Sequence, residues 1–377
     1  MHIGFLTPEF PHSKSTASGG LGTSIKNLAV ALGKHGIKVS VFVYGQKEDL
    51  EFQENGISFH FIKQKKYKFL GWYKYRKYLQ EYLNEYIGTE KIDLIEAPDW
   101  TGITAFMRLS CPLIIRMHGS DAYFCYLDAR KQKWKNRFFE KTVLQSADGL
   151  ISVSEFTAVK TRKILKINKS IEIIPNSIDV DKFYISERPV IQDRILYFGS
   201  LIRKKGVLEL AGIFNEVVKQ LPEAELYLIG KDVKDIFEHK STLELFRDKL
   251  NNKAREQLIY IPEVSYTEIR EHLGRAAVVV LPSFAEALPM TWLEAMAMEK
   301  ALVTSNIGWA REVMGNGETG YTEDPRGHIA YAEKICSLLK DPELARRMGK
   351  NARQRILEKF STEVVVKKNI DYYKKLL

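Results

Sequence analysis

Residues Ala276–Leu281 read AAVVVL, six apolar positions in a row with no polar alternation. A strand that is apolar on both faces must be covered on both, and that is the situation of strands in parallel sheets layered between helices. The residues that follow, Pro282–Glu299 (PSFAEALPMTWLEAMAME), lead straight into an amphipathic helical pattern. A strand, loop and helix of this kind place the loop at the carboxyl end of the sheet, where open α/β folds bind ligands. Two carboxylates, Glu286 and Glu294, stand eight positions apart here. The first falls on the loop and the second about 1.5 turns into a helix that starts near Pro289.

The same alternation runs through the whole chain. Strand patterns are expected near Ile3–Thr7, Val39–Tyr44, Ile57–Ile62, Ile92–Glu96, Leu113–Met117, Gly149–Val153 and Ile171–Pro175, with helical patterns filling most of the gaps. In Thr23–His35, for example, Ile25, Leu28, Ala29 and Leu32 recur at helical spacing. A second series starts at Arg194 (RILYFGS) and continues through Ala224–Gly230, Leu258–Ile261, Ala276–Leu281 and Ala301–Ser305. Both series predict an α/β fold with a parallel sheet between helical layers. With 377 residues, two domains are expected. The polar stretch Ile185–Asp193, which carries Pro189, sets the boundary near residues 184–193. The tail reads as three helices: Arg326–Lys340, Pro342–Lys359 and Thr362–Leu376.

Composition removes several classes. A hydrophobic content of 45% and a charged content of 28% describe a globular chain. No run approaches the roughly 18 apolar residues of a membrane span. The N-terminus enters strand pattern at His2 with no basic and apolar leader, so a cytoplasmic location is expected. Cys111, Cys125 and Cys336 are isolated and odd in number, which fits free thiols better than a disulfide framework or a zinc site. A net charge of +10 suggests an anionic partner: a nucleotide, a nucleic acid or an acidic membrane surface.

Four stretches carry candidate chemistry. Ser18-Gly19-Gly20-Leu21-Gly22 lies between the first strand and the first helix, where glycine amides approach an anion at a helix N-terminus. It lacks the third glycine and the following acid of a dinucleotide fingerprint, and the Gly-Lys-Ser/Thr of a P-loop. His118, in Arg116-Met117-His118-Gly119-Ser120-Asp121, leaves a buried strand at the sheet's carboxyl end and reads equally as a ligand contact or as a packed core residue. Gly199–Gly206 (GSLIRKKG) follows the first strand of the second series with three cations suited to a diphosphate. Lys63–Tyr78 holds seven Lys/Arg and six aromatics in sixteen residues, a composition for an anionic bilayer or acceptor; without a nucleic-acid module around it, RNA is not expected. Asp179-Val180-Asp181 has the form of a metal-diphosphate motif, but its neighbours read as a turn with local backbone bonds, so no metal is expected there.

Taken in order, the Gly19-Gly20 loop, His118-Gly119, Ile174–Asp179 (IPNSID), the Gly199–Gly206 loop and the Glu286/Glu294 pair ending in Glu294-Ala295-Met296-Ala297 resemble a GT-B glycosyltransferase of the retaining family 4 group (glycosyltransferase group 1). The resemblance covers essentially the whole chain. It implies two Rossmann-like domains facing across a cleft: residues 1–185 on the acceptor side, residues 186–360 binding the nucleotide sugar, and a helix at 361–377 packing back on the first domain. It implies that Glu286 holds the donor sugar's hydroxyls beside the backbone amides of Ala287, Leu288 and Pro289, and that Glu294 holds the ribose. Lys205 and the Gly19-Gly20 loop would contact the diphosphate, Val264 would border the base, and His118 would lie near the reacting sugar. Ser200 stands where the family commonly has an arginine, so Arg203 is assigned in its place. Ala287-Leu288-Pro289 replaces the common Gly-Phe-Gly.

The expected activity is then metal-independent, cofactor-free transfer of a sugar, with retention, from a UDP- or GDP-linked donor to a hydroxyl of a saccharide or lipid-linked acceptor, in cell-surface polysaccharide or glycolipid synthesis. A peripheral position at the inner face of a membrane, through Lys63–Tyr78, is a further expectation. Two other readings stay open at this point: a nucleotide-sugar epimerase on the same fold, and a basic RNA- or membrane-binding protein on an inactive scaffold.

Overall fold

The apolar runs become strands of two sheets. The computed structural model describes residues 1–15, 19–185 and 188–377, and the chain divides into one unit of Met1–Ser177 with Ser361–Leu377 and a second of Ile178–Phe360. The first unit contains β1 (His2–Thr7), β2 (Lys38–Gln46), β3 (Leu50–Glu54), β4 (Ile57–Lys63), β5 (Leu94–Pro98), β6 (Leu113–Met117), β7 (Gly149–Ser152) and β8 (Glu172–Ile173) in the order β3-β4-β2-β1-β5-β6-β7-β8. All neighbours are parallel except the β3–β4 hairpin. That hairpin turns on Asn55-Gly56, both at positive φ (52° and 77°), the backbone that a two-residue hairpin loop requires. The expected strand series omits β3 because LEFQE is half polar and forms the sheet's edge.

Helices α1 (Gly20–Lys34), α2 (Gly71–Glu90), α3 (Asp121–Leu127), α4 (Trp134–Ser146) and α5 (Glu155–Leu165) follow in chain order. On one face of the sheet, Leu28, Ala29 and Leu32 of α1 pack with Ile3, Phe5 and Val41. On the other, Leu79 and Leu83 of α2 pack with Phe42, Ile95 and Ile115. The C-terminal helix Thr362–Leu376 adds Val365, Val366 and Tyr373 to the α1 side. Its anchor is polar: buried Arg116 forks onto Glu96 at 2.6 and 2.9 Å and also donates to Asn369, while the Tyr373 hydroxyl donates to Glu96 at 2.7 Å.

In the second unit β9 (Ile191–Phe198), β10 (Glu225–Ile229), β11 (Leu258–Ile261), β12 (Ala276–Leu281), β13 (Leu302–Ser305) and β14 (Gly320–Glu323) form an all-parallel sheet in the order β11-β10-β9-β12-β13-β14. The AAVVVL run is therefore a central strand, paired on both edges, and every residue of it is buried. Edge strand β14 (GYTE) was not anticipated, since four residues with a single large apolar side chain carry no period.

The break between units comes before the polar stretch expected to hold it. Residues 178–183 belong to the second unit because the Ile178 N–H donates to the Phe360 carbonyl (2.9 Å) and Arg353 donates to the Phe183 carbonyl (3.0 Å). Asp179 closes this turn by accepting from the Asp181 N–H (3.2 Å) and pairing with Lys182 (3.2 Å). The motif's carboxylate is thus engaged locally, as its turn-like neighbours predict.

Candidate functional site

Three chain segments of the second unit converge at the carboxyl ends of β9 and β12. After β9, Gly199 adopts φ +134°, and its N–H donates to the Ile229 carbonyl at the end of β10 (2.9 Å). A short 3₁₀ turn, Arg203–Lys205, follows and ends on Gly206 at φ +71°. A Cβ on Gly206 would lie 1.9 Å from the Pro282 carbonyl oxygen, so only glycine lets the turn sit against the loop after β12. The Phe284 N–H donates to the Lys204 carbonyl (2.8 Å) and fastens the two loops together.

This stapling brings Lys205 to Glu286. The ammonium lies 3.6 Å from Glu286 Oε1, and both side chains are mostly withdrawn from water while remaining accessible. Ser283 Oγ donates to the same oxygen at 3.2 Å. Glu294, in the helix Met290–Ala297, is 4% exposed and accepts from the Tyr266 hydroxyl at 2.7 Å. Burial raises its carboxyl to about 6, against the lowering effects of the Tyr266 bond and of nearby Lys205. Val264 is two residues before Tyr266, in the loop between β11 and the helix Tyr266–Arg275 that supplies this bond. Lys205, Glu286 and Glu294, three of the expected donor residues, therefore form one cluster, to which Tyr266 and Ser283 are additions.

Arg203 does not join this cluster. Its guanidinium makes a two-point contact with buried Asp235 (2.8 and 3.1 Å) and a further bond to Glu238 (2.9 Å). The Arg203 contact holds the Asp235 carboxyl down at about 2. Commitment of Nε and Nη2 to two carboxylates weighs against its assignment as the substitute for the arginine absent at Ser200. Pro289 is likewise corrected in part. It is the N-cap of the helix rather than its first residue, and as a proline it carries no N–H to offer a sugar oxygen. Ala287 and Leu288, buried with it, are the residues of that segment that have amides.

In the first unit, His118 follows β6 and is half-buried. Burial, and secondarily the charge of Arg116, push its imidazole down to about 3, so it is neutral across ordinary pH. Its backbone N–H donates to Asp99 Oδ1 at 3.0 Å. Asp99, at the end of β5 and fully buried, is raised to about 8 by burial and by the Glu140 charge. Glu140, itself raised to about 7 by burial, accepts from the Asp121 and Ala122 N–H groups at the start of α3 (2.9 and 3.0 Å). Sequence reasoning missed Asp99 and Glu140. The available signal for the first was an acid directly after an apolar strand, in Pro98-Asp99-Trp100.

Gly19 and Gly20 open α1, with Gly19 as its N-cap; Ser18 lies outside the described residues. The chain supplies its own anion here, because the Gly22 N–H donates to Glu9 Oε1 at 2.8 Å. A Cβ on Gly19 would lie 2.9 Å from the same carboxylate, whereas Gly20 has open space beside it. Lys63–Tyr78 spans the end of β4 and the start of α2. Its Tyr75 and Arg76 are buried, and Phe69, Trp72 and Tyr73 are exposed.

Two α/β units on largely parallel sheets, the second with cationic and acidic side chains gathered at its strand ends, put those side chains where open α/β folds bind ligands. Residues 18–182 match the family described as Glycosyltransferase Family 4 and residues 182–355 the family described as Glycosyl transferases group 1. The chain belongs to these glycosyltransferases and has the GT-B fold. It is 26% identical over 309 residues to the glycogen synthase of Mycobacterium tuberculosis, covering 76% of this chain and 70% of that protein. Among solved structures it resembles the sucrose-phosphate synthase of Thermosynechococcus elongatus, with a TM-score of 0.80 and 20% identity over 100% of this chain and 98% of the other. It also resembles the Anabaena protein HepE in complex with UDP and glucose, with a TM-score of 0.77 and 16% identity over 100% of both chains.

Proposed function

We propose that the protein transfers a sugar, with retention at the anomeric carbon, from a UDP- or GDP-linked donor to a hydroxyl of a saccharide or lipid-linked acceptor in cell-surface polysaccharide or glycolipid synthesis. The observation that carries this reading is the Lys205–Glu286–Glu294 cluster. A cation and two carboxylates at the strand ends match a ligand with phosphate charge at one point and hydroxyls at two others. Lys205 stabilises the diphosphate as its bond to the anomeric carbon breaks. Glu286 accepts from hydroxyls of the sugar, and Glu294 from those of the ribose. Ala287 and Leu288 supply amides beside the sugar, and Val264 borders the base. His118, as a neutral hydrogen-bonding group, and the amides at Gly19 and Gly20 are the first unit's own candidates for sugar and phosphate contact.

The transition state has oxocarbenium character, and the departing diphosphate needs no carboxylic acid to protonate it. The acceptor hydroxyl attacks from the face the diphosphate leaves. Its oxygen bonds to the anomeric carbon and its proton passes to the released phosphate oxygen. This scheme calls for no metal and no cofactor. The solved relative crystallised with UDP and glucose supports a UDP-sugar as the first donor to test.

The test is a thermal-shift series with UDP, GDP, ADP and their glucose conjugates on the wild type and on Lys205→Ala and Glu286→Ala. A ligand that binds only the folded state raises its melting temperature. A shift for one nucleotide family that both substitutions remove supports the proposal. No shift with any nucleotide, or shifts that survive both substitutions, would sink it. Product analysis with and without an acceptor addresses the epimerase alternative, because an isomerised sugar formed without acceptor contradicts transfer.

A further inference from the structure

We propose that the first unit docks on an anionic lipid surface through a face built jointly by the start of α2 and the start of α4. The inference goes beyond sugar transfer and stands without it.

The basic and aromatic stretch 63–78 divides into two parts. Tyr75 and Arg76 point inward, and the Arg76 guanidinium is used up on the carbonyls of Trp72, Thr101 and Gly102. Phe69 (72% exposed), Leu70, Trp72 and Tyr73 remain in water. The sequence gives no reason to associate α4 with them, but the fold does. Ring centroids run from Tyr73 to Trp72 (5.7 Å), Trp72 to Phe106 (5.9 Å) and Phe106 to Phe138 (6.1 Å). Phe138 is exposed, and Trp134 (71% exposed) lies one turn before it on the same face of α4. Exposed rings from two separate helices are thus joined through Phe106, a loop residue partly buried against the core, into one ridge. Such apolar patches mark interaction surfaces.

Charge identifies the occupant. Residues 63–78 contain seven Lys/Arg and residues 129–139 contain five, and neither stretch has an Asp or Glu. Exposed lysines, among them Lys68, Lys74, Lys133 and Lys135, therefore flank the ridge with no acidic residue in either stretch. Cations around an aromatic ridge match a bilayer with acidic headgroups over apolar chains. The ring geometry argues against single-stranded RNA, which needs ring faces free for successive bases. Trp72 and Tyr73 meet edge to face (72°), Lys135 lies over the Trp134 ring (5.9 Å), and Lys65 lies over Tyr78 (3.4 Å).

Co-flotation of the full chain with vesicles tests the proposal. The wild type is expected to float with phosphatidylglycerol-containing vesicles at low salt, to be released several-fold as salt rises, and not to float with pure phosphatidylcholine. Phe69→Ser with Trp134→Ser, and separately Lys68→Glu with Lys133→Glu, should each reduce binding at least tenfold with an unchanged melting temperature. Quenching of tryptophan emission by brominated lipid gives a second reading on the unmodified protein. Wild-type flotation by both variants, equal binding to neutral vesicles, or absence of quenching would overturn the proposal. So would loss of binding to a single-stranded homopolymer RNA in the variants while vesicle binding persists, which would make the ridge an RNA contact.

Discussion

Lys205 Nζ lies 3.6 Å from Glu286 Oε1, held there by the Gly206 turn against Pro282 and by the Phe284 to Lys204 backbone bond. The pair joins the loop after β9 to the loop after β12, with Glu294 close enough for the lysine's charge to offset part of the burial that raises its carboxyl. Removing the cation should remove stabilisation of the departing diphosphate. Lys205→Ala is expected to lower kcat by about 10²- to 10³-fold, the range found when one electrostatic donor is deleted from an active site. Steady-state kinetics with the donor identified by thermal shift checks it.

Arg203 predicts a different outcome. Because it faces Asp235 and Glu238, Arg203→Ala should cost about 1–2 kcal/mol of stability and leave nucleotide affinity within a few-fold of wild type. The Asp235 carboxyl is held below its unfolded value of about 3.9, down to about 2. Its contribution is therefore present above pH 4 and lost as pH falls through about 2. Chemical denaturation at pH 7 and at low pH should show the wild-type advantage over Arg203→Ala disappearing in that window.

Glu294 titrates in the opposite sense. Its folded value of about 6 exceeds the unfolded value of about 4.3, so its contribution to stability is complete below about pH 4.3 and is lost as pH rises through about 6. The ionised form is the stronger acceptor for a ribose hydroxyl, so donor affinity should rise as pH rises through the same region. Tyr266→Phe removes a bond that lowers this value and should move the affinity limb to higher pH, and Glu294→Gln should flatten it. Calorimetric titration of the nucleotide between pH 5 and 8 reads all three.

His118 should contribute no histidine limb to the rate profile. With its imidazole held near 3, it is neutral throughout pH 5–8. His118→Ala is expected to lower kcat while leaving the shape of the profile above pH 5 unchanged. A limb near 6.5 that vanishes in this variant would contradict the neutral role.

Arg116 is the buried keystone of the C-terminal helix anchor, with Glu96, Asn369 and Tyr373 around it. Arg116→Met leaves Glu96 buried and unpaired and should cost about 3–5 kcal/mol. Arg116→Met combined with Glu96→Gln should recover part of that loss. Thermal and urea unfolding of both variants test the coupling.

Much of this is legible in the sequence. Uninterrupted apolar runs such as AAVVVL became buried parallel strands because a strand wet on neither face has no alternation to show. The two carboxylates and Lys205 were legible as site candidates because Glu286 and Lys205 lie on segments leaving a strand's carboxyl end and Glu294 lies on the helix that follows one of them. Edge strand β3 was less so, although its Asn55-Gly56 turn was a usable signal. The partner of Arg203 was not legible: Asp235 sits in another loop, and nothing in the spacing distinguishes a cation facing a phosphate from one facing a carboxylate.

By itself, then, the sequence determined the central strands and most of the helices, that the sheets are largely parallel, and at which strand ends polar residues gather. These follow from periodicity and turn chemistry, which are local. Tertiary structure decided which of two neighbouring cations stays available, that Glu9 meets the start of α1, that Asp99 lies behind His118, and that α4 extends the exposed ridge of α2. Those outcomes depend on burial and on contacts between segments far apart in the chain, which the order of residues does not display.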